Sequence, residues 1–111
     1  MQFADIILPI NLPRTLTYGI PLQWQEKIVP GMRVEVNMGK NKIYSGIVLQ
    51  THNYKPDSYA VKPIRNVIDD APIVYPIQLR FWQWVANYYL ASIGDVMNAA
   101  LPAHLKLMSE S

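Results

Sequence analysis

The sequence holds no cysteine, which excludes disulfides and thiolate-held zinc from this segment and fits a cytoplasmic protein. Charge is also scarce, at 16% of residues against the usual quarter. With 50% hydrophobic and 11% aromatic residues, that scarcity argues for a packed core and against disorder. No apolar run approaches the roughly 20 residues of a membrane span. The start, Met1-Gln2-Phe3-Ala4-Asp5, lacks the basic region that opens a secretory signal. No GxxxxGK[ST] phosphate loop is present, so nucleotide binding in the Walker manner is excluded. Gly31, Gly39 and Gly46 are too widely spaced for a phosphate cradle. His52 and His104 lie far apart, neither with a carboxylate at ligand spacing, and read as a surface loop residue and a tail residue. Asp69-Asp70 is the one adjacent acidic pair, but consecutive strand residues point to opposite faces, so it reads as a strand-end or turn signal. These absences lead us to expect no catalytic residue, no metal ligand and no cofactor in this chain.

What is there suits a single domain, because 111 residues leave too little surface for a second core. Phe3 to Leu8 reads as a short strand stopped at Pro9, and Leu8-Pro9-Ile10-Asn11-Leu12-Pro13 as an extended connector. Arg14 to Ile20 reads as a second strand. After the turn dipeptide Pro30-Gly31, the apolar Met32, Val34, Val36 and Met38 alternate with Arg33, Glu35 and Asn37, the period of a half-buried strand. Gly39-Lys40-Asn41-Lys42 then turns the chain into a returning strand, Ile43 to Gln50. His52 to Ala60 is polar and reads as an exposed loop. Lys62 to Ile68 reads as an edge strand, since Pro63 cannot donate within a sheet.

Pro76 opens a helical pattern in which Ile77, Phe81, Trp84, Val85 and Tyr88 share one face, expected to be core. Ser92-Ile93-Gly94-Asp95 has the form of a capping box for a second helix ending before Pro102. The fold class expected is α+β: a small, curled, barrel-like antiparallel sheet of about five strands with C-terminal helices packed on it. The domain is expected over residues 1–103, with 104–111 the start of a linker.

Charge is unevenly placed. Between Lys40 and Arg65, five cations (Lys40, Lys42, Lys55, Lys62, Arg65) face Asp57 alone, whereas the N-terminal stretch is balanced and the C-terminal one is acidic. A basic middle is compatible with a phosphate-facing surface, but charge alone favours a solvated loop surface. Tyr18 and Trp24, in the strand-rich part, are the aromatic residues best placed to meet a ligand, while Trp82 and Tyr89 lie on a helix face that would reach a neighbouring domain.

Three segments, Leu8-Pro9-Ile10-Asn11-Leu12-Pro13-Arg14-Thr15-Leu16-Thr17-Tyr18, Gly31 to Lys40 with Gly46-Ile47-Val48, and Trp84 to Tyr89 leading to Ile93-Gly94-Asp95-Val96 and Ala100-Leu101-Pro102, stand in one order over nearly the whole chain. In that order and spacing the chain resembles the N-terminal 3′-end-binding domain of the PriA family of replication-restart helicases. The resemblance implies a longer ATP-dependent 3′–5′ helicase, with a winged-helix domain, ATPase lobes and a zinc region outside these residues. ATP with Mg, and zinc, are expected in those absent domains. It implies capture of the 3′ end of the nascent leading strand at a stalled fork. The partners implied are DNA with a 3′ end, single-stranded or branched, the helicase domains of the same parent chain, and primosome and single-strand-binding proteins; no membrane is expected.

The family's pocket for the terminal nucleotide comes from the strand after Pro-Arg-Thr, the hairpin-turn glycine and a lysine after the long loop. By motif these are Leu16, Thr17, Tyr18, Gly39 and Lys62 here, with Lys40 and Lys42 as further phosphate contacts. The family often carries an aromatic residue and an aspartate where this chain has Leu16 and Thr17. Weaker end discrimination, or transfer of the acid's role to another residue, is open, and Thr17→Asp is expected to hold a free 3′ end more tightly or to discriminate it better from internal DNA. The competing reading is a small protein-interaction module without nucleic-acid binding, which the low net charge of +2 favours.

Overall fold

The computed structural model describes residues 1–101 and Ser109–Glu110. The strands are β1 (Phe3–Ile7), β2 (Leu16–Gly19), β3 (Arg33–Met38), β4 (Lys42–His52), β5 (Asn66–Val67) and β6 (Ser109–Glu110); the helices are α1 (Pro76–Tyr89) and α2 (Ile93–Ala100). The period-two hairpin forms as expected, with Val34 opposite Gly46 and Met38 opposite Lys42. Around it the sheet runs antiparallel in the order β2-β1-β4-β3-β5, with β6 beside the turn-proximal end of β4. The sheet is not closed, and the helices follow it, so the domain is a small α+β fold.

Proline sets two of the differences from the expected strands. Pro63 makes only an isolated bridge to Gly19, so the expected Lys62–Ile68 strand shrinks to Asn66–Val67. Pro21 leads into a short 3₁₀ turn, Leu22–Trp24, before the chain re-enters the sheet. At Gly31, φ is +94° and a Cβ would run into the Val74 carbonyl, so this turn requires glycine. The Asp69-Asp70 pair ends β5 as a turn. Asp69 forks onto Arg33 (Nη2 to Oδ1 2.7 Å, Nε to Oδ2 3.0 Å), and Asp70 meets Lys27.

Both sheet faces are buried, because neighbouring strand residues serve opposite cores. Ile6, Val34, Val36, Tyr44 and Val48 belong to one core together with Ile28 and Ile64, whereas Ile7 and Ile47 belong to a second core with the helices. There they meet Leu79, Trp82, Met97 and Leu101. This corrects the expected core face of α1. Ile77, Phe81, Trp84 and Tyr88 are exposed, Val85 is half-buried, and Leu79, Trp82 and Ala86 are buried instead. Trp82, expected to face outward, is therefore core. The helix carries two apolar stripes, and the one that includes the small Ala86 faces inward.

α2 begins as its capping pattern foretold: the Asp95 N–H donates to Ser92 Oγ at 3.1 Å. Leu90, just past α1, takes the left-handed conformation that usually falls to glycine. The expected domain boundary at 103, the linker 104–111 apart from Ser109–Glu110, and His104 lie outside the described residues.

Candidate nucleic-acid interface

β2, the β3–β4 turn and the end of the long loop meet at one notch of about 130 Å³. Its lining brings together Leu16, Thr17, Tyr18, Gly39 and Lys62 from three separated stretches of sequence. Gly39 has φ +72° and no atom within 4 Å of where a Cβ would stand, so it both permits the turn and leaves the rim open. Lys62 reaches across the rim, its Nζ donating to the Gly39 carbonyl at 3.0 Å. Tyr18 is buried in the core that holds Val34 and Val36, yet its hydroxyl donates to the Asn37 carbonyl at 2.9 Å at the notch wall. Burial pushes the Tyr18 phenol up to about 12, with Tyr59 adding to the effect, so it stays a neutral donor. Trp24, the other aromatic residue picked out for ligand contact, packs half-buried against the core and lines no part of this notch.

A wider cleft of about 460 Å³ adjoins the notch and shares Asn37, Gly39 and Lys62 with it; Lys40 and Arg65 lie in its lining. Lys40, expected as a phosphate contact, thus lines the cleft. Lys42, paired with Met38 at the hairpin end, lines neither hollow.

Two residues at the site escape any reading of linear sequence. Tyr59 sits in the stretch expected to be an exposed loop, which instead folds back so that the Thr17 N–H donates to its hydroxyl oxygen at 2.8 Å. Asp5 stands opposite Thr17 in the β1–β2 register, and the Thr17 hydroxyl donates to its Oδ1 at 2.6 Å. Only the register reveals that neighbour; the acidic partner was legible as a residue, not as a partner.

Asp5 also gathers Gln50 Nε2 at 2.7 Å and His52 Nε2 at 2.9 Å. His52 therefore does have a carboxylate beside it, contrary to the reading from spacing, because β4 extends through His52 and pairs with β1. The Tyr54 N–H donates to His52 Nδ1, which leaves the ring proton on Nε2, facing Asp5. The proton of the Thr17 hydroxyl thus goes to a carboxylate within the fold. Burial would raise the Asp5 pKa, but the hydrogen bonds from Thr17, Gln50 and His52 outweigh it and hold the carboxyl below its usual value. The stability that Asp5 contributes is then present above the ordinary carboxylate range and lost as pH falls through the lowered folded value. We expect Asp5→Asn to flatten the acid limb of a melting-temperature profile below about pH 4; an unchanged limb would assign it to other groups, such as Asp69. Among the described residues no group of three or more His, Asp or Glu side chains could hold a metal ion.

A match of residues 5–102 to the family described as the 3′DNA-binding domain (3′BD) places the chain among DNA-binding domains. That family is the 3′BD of PriA, and the chain belongs to it. It is 35% identical over 107 residues, 96% of its length, to the replication restart protein PriA of Haemophilus influenzae. It is 27% identical over 113 residues, 99% of its length, to PriA of Bacillus subtilis, and 30% identical over 105 residues, 91% of its length, to PriA of Chlamydia pneumoniae. The chain spans 14% of the first two relatives and 13% of the third.

Proposed function

We propose that the notch receives the 3′-terminal nucleotide of the nascent leading strand at a stalled fork. The observation that carries this reading is the convergence of Leu16, Thr17, Tyr18, Gly39 and Lys62 on one small hollow. A free 3′ end differs from internal DNA by its hydroxyl and by the lack of a following phosphate. A small notch with neutral donors and acceptors at its wall and a cation at its rim suits that difference.

In this reading the domain directs a cytoplasmic replication-restart helicase to the fork. ATP with Mg, and zinc, belong to other domains of that protein, and primosome and single-strand-binding proteins are its partners. The test is fluorescence titration with one strand ended by a 3′-hydroxyl or a 3′-phosphate. The expected result is at least tenfold tighter binding of the hydroxyl end, about 1.4 kcal/mol, and a loss of most of that affinity in Lys62→Ala. Equal affinity for the two ends would overturn end capture.

A protein-interaction module remains the second reading, because α1 exposes Ile77, Phe81, Trp84 and Tyr88 together. Oligonucleotide binding that weakens with salt, as counterion release requires, decides against it. Among the described residues no helix is long and apolar enough to cross a membrane.

A further inference from the structure

We infer that the wider cleft beside the notch is a phosphodiester site for the nucleotide preceding the terminus, with Arg65 as its principal contact and Lys40 as its second. The inference rests on the end-capture reading. If a terminal nucleotide fills the notch, the strand behind it has to leave across the rim. The two hollows share that rim, formed by Asn37, Gly39 and Lys62.

Charge sets the direction of exit. The cleft lining contains Lys40, Lys62 and Arg65 and, among the described residues, no carboxylate. Beyond Thr17, on the β1 side, stands the Asp5 carboxylate. A polyanion leaving the notch is attracted toward the first side and repelled from the second.

Arg65 is built for the role. Its backbone is fixed at the sheet edge, where its N–H donates to the Glu35 carbonyl at 2.8 Å. Its side chain is 51% exposed, and among the described residues its carboxylate neighbour is Glu35, whose Oε1 stands 3.8 Å from Nε. Arg33, by contrast, forks onto Asp69 at 2.7 and 3.0 Å. That loose contact leaves the planar Arg65 guanidinium able to bridge two oxygens of a phosphate.

The experiment titrates the chain with a fluorescent hexanucleotide ending in a 3′-hydroxyl, over a range of salt, beside the same strand with a neutral methylphosphonate at the last linkage. Arg65→Gln is expected to weaken binding of the natural strand about five-fold and to reduce the salt slope by about 0.7, the loss of one phosphate contact on a single strand. Its preference for a hydroxyl over a phosphate end should be unchanged. On the methylphosphonate strand, wild type and Arg65→Gln should bind alike. Arg65→Lys, which keeps the charge, should restore the slope. Unchanged affinity and slope in Arg65→Gln, with end preference intact, overturns the cleft assignment and leaves end capture standing. A wild-type chain without end preference overturns both. An equal effect of Arg65→Gln on the two strands moves its contact away from the last linkage and also overturns the assignment.

Discussion

Trp82→Ala will lower the stability of this domain by about 3–5 kcal/mol, the usual cost of truncating a buried aromatic residue, whereas Trp84→Ala will cost about 1 kcal/mol or less. The two residues are neighbours on one helix with opposite fates: Trp82 is 5% exposed and Trp84 58%. Trp82 sits between the sheet and α2, among Ile7, Ile47, Leu79 and Met97. Its loss opens a cavity that fixed strands on one side and a helix on the other cannot collapse to fill. Trp84 touches chiefly its stripe neighbours, with ring centroids 6.3 Å from Phe81 and 5.1 Å from Tyr88. Exposed aromatic pairs of that kind contribute on the order of 1 kcal/mol. Urea unfolding measures both: the Trp82 variant should shift the midpoint strongly at constant slope, and the Trp84 variant hardly at all. Comparable losses in the two would mean that the aromatic stripe is covered after all.

The pair also shows where sequence reasoning stopped. The strand alternation from Met32 to Met38 and the Ser92 cap are local signals, and both were legible because a single element decides them. The facing of α1 is not local. Two apolar stripes run along it, and size alone favours the one with Phe81, Trp84 and Tyr88. The choice falls to the stripe whose Ala86 faces the core, a fact of packing that no periodicity contains. At the site, the five motif positions converge on one notch. The partners that tune it, Tyr59 and Asp5, lie 42 and 12 residues from Thr17 and become neighbours only through loop closure and strand register.

That register reverses the expected effect of Thr17→Asp. From the sequence, an aspartate at position 17 adds a charge-assisted acceptor for a terminal base or hydroxyl. In the fold, the Thr17 hydroxyl already donates to Asp5, so the substitution removes a hydrogen bond to a charged group, a loss of about 1.5–3 kcal/mol. It also sets a second carboxyl beside the first. Two carboxylates at such a distance do not both ionise readily, so the pair retains a proton and its upper pKa is raised. A raised folded-state pKa gives stability that is present at low pH and lost as pH rises. The Thr17→Asp defect should therefore be large at pH 7.5, about 3 kcal/mol, and shrink toward pH 4.5. For a domain of this size that is a fall of more than about 10 °C in melting temperature at the higher pH. Binding of a 3′-hydroxyl strand at pH 7.5 should weaken about tenfold, because the notch gains a negative charge and loses an ordered wall. Asp5→Asn combined with Thr17→Asp supplies an amide donor for the new carboxylate. The double variant should regain part of the stability, since the amide keeps one acceptor oxygen where Asp5 serves Thr17, Gln50 and His52, and, in the proposed function, hold a free 3′ end more tightly than Thr17→Asp alone. A single Thr17→Asp variant that melts like wild type and binds more tightly would mean that the Asp5–Thr17 bond has no part in shaping the notch.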